Sequence, residues 1–553
     1  MSIKTGWAGP LALLALCAPL CAQGTLHVFH GAAAEDRLGI SVQGAGDVNG
    51  DGYGDLIAGA HQADYGASNA GSAEVRSGKD GSLLFRFDGA ASGDAFGRSV
   101  SGAGDVNNDG YADLIVGAHL SDAGGADAGL ARVFSGRDGS VLFTFFGDDP
   151  GDQLGRSVSG AGDVDGDGHA DLIVGAYRDD DGGADAGSAR VFSGASGQVL
   201  FTHHGDAAGD AMGFAVSGAG DVDGDGFADV LAGAFGDDDQ GSSCGSARLL
   251  AGPAGAPLST WFGDAAGDWF GAAVSGGADA TGDGIPDLLI GAYGADAQGS
   301  LSGAARLISG GDGAVARDLA GGSAGDLFGI SVALSGDLDG DGRSELLVGA
   351  ERDDDGGTDA GSASLFSGDG GFLLFRLDGE DAGDRFGFSV GPASDVNGDG
   401  RPDLIAGAHA DDDGGSGAGS ARVSSGSCGS LAGFGGGCPG TGGITPALGL
   451  SGCAVRLGTV TLSLDQGPGG AVAQVFLGTQ SAQIPLKASC VLLVYPILLS
   501  FPLPLDGAGG AELDVRVPAG SPPASIFLQA FLPDPGAGSH GYSATNGVRL
   551  TLD

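Results

Sequence analysis

The stretch Asp163-Val164-Asp165-Gly166-Asp167-Gly168-His169-Ala170-Asp171 is a nine-residue acidic loop that runs directly into the apolar segment 172–176. The same pattern occurs seven times along the chain, and each copy begins 58 residues after the one before. The copies, called loops 1 to 7, begin at Asp47, Asp105, Asp163, Asp221, Asp279, Asp337 and Asp395. A fixed period of this length indicates a tandem array of one structural unit, so the repeat decides the fold.

The loop carries the oxygen donors that a calcium ion prefers. Side chains at positions 1, 3, 5 and 9 and the backbone carbonyl at position 7 could supply the oxygen ligands, of which calcium takes about six to eight. Glycine at position 6 lets the chain turn sharply and bring these groups together. The sequence therefore predicts structural Ca²⁺, with up to seven ions. The candidate ligands are Asp47, Asn49, Asp51, Tyr53, Asp55, Asp105, Asn107, Asp109, Tyr111, Asp113, Asp163, Asp165, Asp167, His169, Asp171, Asp221, Asp223, Asp225, Phe227, Asp229, Asp279, Thr281, Asp283, Ile285, Asp287, Asp337, Asp339, Asp341, Arg343, Glu345, Asp395, Asn397, Asp399, Arg401 and Asp403.

The loops differ in charge. Loops 3 and 4 have aspartate at all four side-chain positions, whereas loops 1, 2 and 7 have asparagine at position 3. Loop 6 ends in Glu345, and loop 5 has Thr281 at position 3. Since fewer charged ligands lower the affinity for calcium, loop 5 is predicted to be the weakest site. Clustered carboxylates without metal would repel one another, so calcium binding and folding are predicted to be coupled.

Composition and charge exclude several classes of protein. The chain has 553 residues and is 42% hydrophobic, which is enough for packed cores. Glycine is abundant, at 116 residues, but lacks the every-third spacing of collagen. A formal charge of −47, with 71 acidic residues, would repel nucleic acid and anionic membrane surfaces. Binding of either is therefore not expected.

The N-terminal segment has the features of a secretory signal peptide. Lys4 precedes an apolar run at 11–18, and Ala22 is a small residue suited to cleavage. A signal peptide over 1–22 predicts a secreted, extracellular or cell-surface protein. The number of cysteines that remain after export is odd, which predicts at least one unpaired thiol. These cysteines are Cys244, Cys428, Cys438, Cys453 and Cys490. The last four follow the repeats and predict a disulfide in that part of the chain, but the sequence does not determine which cysteines pair.

One repeat is predicted to contain four short strands. Residues 154–162 form a first strand rich in small residues, and 172–176 is a continuous apolar run typical of a strand buried on both faces. Residues 188–192 and 199–204 complete the unit. Four antiparallel strands make one propeller blade, and seven blades close a ring without a long exposed edge. A parallel β-helix is disfavoured because its coils are much shorter than this repeat.

Ring closure is also predicted by the sequence. Residues 25–31 match the fourth strand of other repeats, such as 141–147, yet they precede loop 1. The seventh repeat ends near Val423, followed only by a degenerate segment at 429–434. The N-terminal strand should therefore complete the last blade. The predicted fold is all-β, with a seven-bladed β-propeller over 23–427.

Two short signatures recur in phase with the acidic loops. A Phe-Gly pair, relaxed to Leu-Gly or Met-Gly in some repeats, precedes each loop, and a Gly-Ala pair follows it. The first pair stands at 38–39, 96–97, 154–155, 212–213, 270–271, 328–329 and 386–387, and the second at 59–60, 117–118, 175–176, 233–234, 291–292, 349–350 and 407–408. These signatures resemble the FG-GAP repeats of integrin α-subunit propellers and their bacterial relatives, although the proline that follows Gly-Ala in that family is absent. The resemblance covers about 25–427 and implies a seven-bladed propeller with calcium in the loops joining strands 1 and 2.

A second set of acidic residues lies between strands 2 and 3 of four repeats. These runs are 179–181, 237–239, 353–355 and 411–413. Because strands alternate in direction, the runs should lie on the face opposite the acidic loops, and the resemblance to integrins implies that this face binds ligands. They could form a solvated rim, or a docking surface for a basic partner or, through bound cations, for a carbohydrate.

Signals for catalysis are weak. Residues 387–391 match the Gly-x-Ser-x-Gly pattern, but Ser389 lies in a predicted first strand and not at a strand-to-helix turn. His61, His119 and His409 occupy a position where other repeats have aromatic residues or Glu351, which indicates packing. The sequence therefore predicts that the protein is not an enzyme and has no catalytic residues.

The 58-residue period stops near residue 435. Residues 428–443 are predicted to be a Gly-rich linker, and 444–553 a small β-sandwich. Its candidate strands lie at 455–464, 471–477, 490–499, 511–517, 525–531 and 547–552. The apolar run 491–499 is short and contains Pro496, so a membrane span is not expected.

These patterns together predict a secreted, calcium-binding propeller that acts as an extracellular binding or adhesion module. Its partner would be an extracellular protein or carbohydrate, with no nucleic acid and no membrane insertion. Two alternatives stay open. One is a structural component of a cell-surface or matrix layer without a specific ligand, and the other is an enzyme acting on polysaccharide or lipid.

Overall fold

The computed structural model of the protein describes residues 24–426, apart from 339 and 369, and the backbone of further strands between 431 and 552. One compact unit comprises Gln23–Ser427, and another contains Cys428–Asp553. The described elements are all β-strands, in agreement with the predicted class. The predicted signal peptide, the ligand candidate Asp339 and all predicted cysteines except Cys244 lie outside the described residues.

Within residues 24–426 the strands form seven antiparallel sheets of four strands, and each sheet is one blade. The strands of blades 1 and 2 are β2 (Leu38–Gly46), β3 (Asp55–Ala60), β4 (Ser72–Arg76), β5 (Leu83–Asp88), β6 (Ser99–Gly104), β7 (Asp113–Ala118), β8 (Leu130–Phe134) and β9 (Val141–Phe146). Those of blades 3 and 4 are β10 (Leu154–Gly162), β11 (Asp171–Ala176), β12 (Ser188–Phe192), β13 (Val199–His204), β14 (Met212–Gly220), β15 (Asp229–Ala234), β16 (Ser246–Leu250) and β17 (Pro257–Phe262). The four strands predicted for blade 3 are confirmed to within one residue at each end.

The remaining blades follow the same order. Blades 5 and 6 contain β18 (Ala273–Ala278), β19 (Asp287–Ala292), β20 (Ala304–Ile308), β21 (Val315–Ala320), β22 (Ser331–Leu334), β23 (Leu346–Ala350), β24 (Ser362–Phe366) and β25 (Leu373–Asp378). Blade 7 contains β26 (Phe386–Pro392), β27 (Leu404–Ala408), β28 (Ser420–Ser424) and the N-terminal β1 (Thr25–His30). The first strands of all seven blades line a central channel.

The N-terminal strand closes the ring, as predicted. β1 pairs antiparallel with β28, so that Phe29 lies opposite Ala421 and His30 opposite Ser420. The Ser425 N–H donates to the carbonyl oxygen of Gly24 at 3.0 Å and extends this pairing. Blade 7 is thus built from both ends of the repeat array, and β28 has a strand partner on each side.

The second strand of each blade is buried on both faces. In β11, Leu172 and Val174 pack with Val133 and other residues of blade 2, whereas Ile173 packs with Met212 of blade 4. Every residue of β11 is buried. The apolar run thus belongs to two inter-blade cores at once, which explains why it is continuous and does not alternate with polar residues.

The Phe-Gly and Gly-Ala signatures meet at the blade junctions. The glycine of each Phe-Gly pair has a φ between +80 and +87°, a backbone conformation that favours glycine. A Cβ added to the glycine of each Gly-Ala pair would lie 1.8–2.1 Å from the carbonyl oxygen of that Phe-Gly glycine in the next blade. The two signatures are therefore the places where neighbouring blades touch through backbone alone.

Cys244 is a buried free thiol. It occupies the place that Ala186 takes in blade 3, and both side chains are fully buried. The Cys244 thiol lies 3.6 Å from the carbonyl oxygen of Asp237. Burial raises the pKa of this thiol, so Cys244 acts as a small core residue.

The strands beyond residue 430 form two antiparallel sheets. They are β29 (Leu431–Phe434), β30 (Ala447–Ser451), β31 (Thr459–Asp465), β32 (Val472–Pro485), β33 (Val491–Pro504), β34 (Ala511–Arg516), β35 (Ala524–Pro533), β36 (Tyr542–Ala544) and β37 (Gly547–Leu552). One sheet has the order β29-β37-β35-β32-β33, with β36 paired to β35, and the other the order β30-β31-β34. β29 falls within the predicted linker and pairs with β37. The predicted sandwich and domain boundaries stay predictions.

In the part of the chain that the structure describes, no helix has the length and apolar character needed to cross a membrane.

Candidate metal loops and the opposite face

Each acidic loop folds around its first aspartate. In loop 3, Asp163 Oδ1 accepts the N–H groups of Gly166 at 2.7 Å and Asp167 at 3.1 Å, and its Oδ2 accepts that of Gly168 at 3.0 Å. Gly168 has a φ of +88°, and no atom lies within 4 Å of the position that a Cβ would take. Glycine is therefore needed at position 6 because of its left-handed backbone conformation, since a Cβ would meet no neighbouring atoms there.

Three of the predicted ligands converge in loop 3. Carboxylate oxygens of Asp163, Asp165 and Asp171 lie within 4.8 Å of one another and could hold a metal ion. Asp171 is fully buried, and burial together with the charge of Asp165 raises its pKa to about 6. Hard oxygen donors and unrelieved negative charge fit a divalent cation.

The position 9 carboxylate also has a structural role that the sequence analysis missed. In all seven loops it is fully buried and accepts the N–H of the position 2 residue at 2.6–3.0 Å. In loops 1 to 5 and 7 its other oxygen accepts a glycine N–H from the turn between strands 3 and 4, at 2.8–3.1 Å. Position 9 therefore ties the loop to its own blade as well as facing the metal position.

Neighbouring loops are joined to one another by backbone hydrogen bonds. The N–H at position 8 donates to the carbonyl oxygen at position 1 of the preceding loop, at 2.7–3.4 Å. The donors are Gly54, Ala112, Ala170, Ala228 and Ser344. Loops 5 and 7 have Pro286 and Pro402 at this position, and proline has no N–H. The ring of loops is thus divided into two connected groups, loops 7-1-2-3-4 being separated from loops 5-6 by the two prolines.

Position 7 was predicted to contribute only its backbone carbonyl, but its side chain also contacts the preceding loop. His169 Nδ1 lies 2.8 Å from the carbonyl oxygen of Val106, and Arg401 Nη1 donates to that of Leu338 at 2.6 Å. These contacts are equivalent in the repeat, because each joins position 7 to position 2 of the loop before it.

In loop 5, the Thr281 N–H donates to Asp287 at 2.7 Å.

The four acidic runs on the opposite face are only partly solvated, because the first residue of each is buried. Asp179 is 1% exposed and accepts from the Ser188 hydroxyl at 2.6 Å and from Arg190. Burial disfavours its charged form, but Ser188 and Arg190 outweigh burial, and the pKa of Asp179 is lowered. The equivalent Asp237, Asp353 and Asp411 are also buried, whereas the second and third residues of each run are exposed.

A further set of buried aspartates was missed. These residues lie two positions before each Phe-Gly pair and are 2–9% exposed. They are Asp36, Asp94, Asp152, Asp210, Asp268, Asp326 and Asp384. Each accepts the N–H of the residue three positions earlier, at 2.8–3.0 Å, and so holds the turn between consecutive blades. The 58-residue spacing of these aspartates could have identified them.

The mouth of the central channel on this face is lined by the residue that follows each Phe-Gly pair. Around the ring these residues are Ile40, Arg98, Arg156, Phe214, Ala272, Ile330 and Phe388. They surround a cavity of about 430 Å³ together with serines of the first strands and Tyr293. This position was not identified from the sequence. The available signal was the variation of its residue type between repeats, since most other positions of the first strand hold small residues.

Ser389 and His409 make structural contacts. The Ser389 hydroxyl oxygen accepts the Val42 N–H at 3.0 Å across the junction of blades 7 and 1. Serines in other first strands do the same, for example Ser99, which accepts from Val158. His409 packs against Phe388 with ring centroids 4.5 Å apart, and burial followed by the charge of Arg37 lowers the pKa of His409 to about 3.

The repeats match a known family. Residues 38–73, 96–134, 154–192 and 386–424 match the FG-GAP repeat family, and residues 319–366 match a second FG-GAP repeat family. Integrin alpha-PS5 of Drosophila melanogaster is 36% identical over 163 residues, which are 27% of this chain and 16% of that protein. Integrin alpha-V of Gallus gallus is 32% identical over 227 residues, 37% of this chain and 21% of that protein.

The chain thus covers about a fifth or less of the length of these two integrins. A europium-containing methanol dehydrogenase aligns with a TM-score of 0.37 and 9% identity, over 69% of this chain and 76% of that chain. That likeness is too weak to bear on function.

The fold is a seven-bladed β-propeller, in which each blade has four strands. Neighbouring blades meet through backbone contacts at the Phe-Gly and Gly-Ala pairs, which are the signatures of FG-GAP repeats. The matched repeats, the similarity to integrins and the seven blades support an integrin-α-like FG-GAP propeller.

Proposed function

We propose that this protein is a secreted, calcium-binding propeller that acts as an extracellular binding module. The observation that carries the calcium assignment is the convergence of Asp163, Asp165 and Asp171 in a loop pattern that recurs in every blade. The similarity to integrins supports the binding role, and the predicted signal peptide supports export.

Calcium would act on the structure of the ring and not on a ligand directly. The metal loops lie at blade junctions, where the Ala228 N–H already joins loop 4 to loop 3. A cation bound by Asp163, Asp165 and Asp171 would offset the repulsion between these carboxylates and the cost of burying Asp171. The opposite face, with its exposed acidic residues and channel mouth, would be the binding surface.

A binding role is favoured over catalysis. The Ser389 hydroxyl is engaged by the Val42 N–H, and burial and nearby arginines keep His61, His119 and His409 neutral at physiological pH. The Ser389 hydroxyl therefore joins blades 7 and 1, and His409 packs against Phe388 at the channel mouth.

Thermal unfolding in millimolar calcium and in excess chelator tests the metal assignment. Calcium should raise the melting temperature, and the rise should be lost when chelator is added. An unchanged melting temperature in chelator would refute the structural calcium sites. Glycan and matrix-protein arrays, each run with calcium and with chelator, test the binding role. N-terminal sequencing of the exported protein tests cleavage after Ala22.

A further inference from the structure

Two arginines at the mouth of the central channel lack a carboxylate partner. Arg98 and Arg156 occupy equivalent positions in blades 2 and 3, and both are half-buried. Among the described residues, neither guanidinium makes a hydrogen bond or an ion pair. Several other arginines of this strongly acidic chain are paired with carboxylates, as Arg190 is with Asp179 and Arg306 with Asp264. Arg132 and Arg137 also face aromatic rings, but neither residue lines the channel mouth.

The two guanidinium groups contact aromatic rings. The Arg98 guanidinium carbon lies 5.8 Å from the Phe388 ring centroid, and that of Arg156 lies 4.2 Å from the Phe214 centroid. Such contacts use the face of a guanidinium or its charge and leave its N–H donors available. Burial and the charge of Arg156 lower the pKa of Arg98, and burial lowers that of Arg156. An anion bound by both would relieve this unfavourable charge.

The cavity has room for such a group. Its volume of about 430 Å³ lies within the usual range for ligand pockets, about 300–1,000 Å³. Ala272 takes the equivalent position in blade 5 and leaves space across the channel. Burial and Arg98 lower the pKa of His61 to about 3 and that of His119 to about 2, so both histidines are neutral. Arg37 and Arg178 also act on these histidines, but they are paired with Glu35 and Asp185. The unpaired positive charge at this part of the mouth is therefore that of Arg98 and Arg156.

The surrounding face is acidic. The exposed aspartates of the four loops between strands 2 and 3 are Asp180, Asp181, Asp238, Asp239, Asp354, Asp355, Asp412 and Asp413. A positive centre inside a negative rim disfavours a polyanion, which the rim would repel. This distribution of charge is complementary to a partner surface on which a single carboxylate is surrounded by basic residues.

We propose that the channel mouth receives an aspartate, glutamate or terminal carboxylate of a protein partner, and that lysine or arginine residues around it contact the acidic rim. Arg98 and Arg156 would bind the carboxylate through paired N–H donors, a geometry that lysine cannot supply. This inference rests on the proposed binding role and specifies the chemistry of the partner.

Titration calorimetry with two peptides tests the proposal on the full chain in calcium. One peptide has a central glutamate flanked by two lysines on each side, and the other has glutamine at the centre. The wild-type protein should bind the glutamate peptide about tenfold or more tightly than the glutamine peptide. The Arg98→Gln/Arg156→Gln variant should lose the glutamate preference and bind the glutamine peptide at least as tightly, because only attraction of the lysines by the acidic rim remains.

Matched variants separate this site from general charge effects. Arg137→Gln removes an exposed arginine from the turn after β8, near the metal loops, and should leave the glutamate preference unchanged. Arg98→Lys/Arg156→Lys keeps the charge and should retain a reduced preference, which provides a second measurement if the glutamine variant folds poorly. An oligogalacturonate serves as the carbohydrate comparison.

Equal binding of the two peptides by the wild type, or an unchanged preference in the double glutamine variant, would overturn the proposal. Tighter binding of oligogalacturonate than of the glutamate peptide would overturn the protein partner in favour of an acidic carbohydrate. A calcium-dependent rise in melting temperature without peptide discrimination would remove this inference and leave the calcium assignment intact.

Discussion

Gly175 of blade 3 lies against the backbone of Gly213 in blade 4, so that a Cβ on Gly175 would be 1.8 Å from the Gly213 carbonyl oxygen. Gly213 itself has a φ of +80°. The neighbouring atoms are backbone, which cannot move aside as a flexible side chain would. The glycine of the Gly-Ala signature in one blade and the glycine of the Phe-Gly signature in the next blade therefore form a single backbone contact.

Gly175→Ala should therefore destabilise the propeller severely, by about 3 kcal/mol or more, because the added methyl group would push two blades apart. Gly209→Ala is the matched control. Gly209 has a φ of +90° but no atom near its Cβ position, so only the conformational cost of about 1 kcal/mol is expected. Urea unfolding measures both, and similar losses would contradict the junction model.

Asp171 and Asp163 should respond differently to removal of their charge. In chelator, Asp171→Asn should cost about 1–3 kcal/mol, since an amide has one acceptor oxygen for two buried backbone donors. Asp163→Asn should cost less, because the amides that it binds are exposed and can turn to water. In calcium, both variants should lose part of the metal-induced rise in melting temperature. Equal losses in chelator would show that position 9 has no separate structural role.

Loop 5 should fill last in a calcium titration, because Thr281 offers a hydroxyl at position 3, where loops 3 and 4 have a carboxylate and loops 1, 2 and 7 the carbonyl oxygen of an asparagine. Thr281→Asp should raise the affinity of the weakest site and leave the other sites unchanged. Calorimetry with the wild type and this variant measures the difference. Filling of loop 5 before loops 3 and 4 would contradict the ranking by charge.

Asp384 should make stability depend on pH. Burial, then the charges of Asp411 and Asp381, raises its pKa from 3.8 to about 6, so the folded protein binds this proton more tightly than the unfolded chain does. Its contribution is present below about pH 4 and is lost as the pH rises to about 6. Asp384→Asn should reduce the loss of stability over that interval by about 1–2 kcal/mol, allowing for solvent screening. Unfolding curves at pH 4 and pH 7 that shift equally in both proteins would contradict this assignment.

Closure by the N-terminal strand predicts that Phe29 is as important as a residue inside the array. Phe29 is 7% exposed and packs with Val423 and Leu38. Phe29→Ala should cost about 3 kcal/mol, whereas Val28→Thr, at a site 42% exposed, should change stability by about 0.5 kcal/mol or less. Thermal melts provide the comparison. A small effect at Phe29 would mean that the ring does not need β1.

Much of this architecture follows from local sequence. A loop such as 163–171 has its donors and turn glycines within nine residues, and the apolar run 172–176 requires burial wherever the chain goes. Repetition at 58 residues then determines the number of blades, and the match between 25–31 and other fourth strands predicts the closure. Each of these inferences uses interactions within one repeat or a comparison between repeats.

Tertiary structure alone decided what happens between blades. Which backbone atoms face Gly175 and whether Ala228 can join loop 4 to loop 3 both depend on residues of different blades. The same holds for Arg98 and Arg156, which the ring brings to one channel mouth with Phe388 and Phe214. Local sequence specifies the conformation of a blade, but contacts between blades arise only when separately folded sheets pack against one another, because they join residues of different repeats.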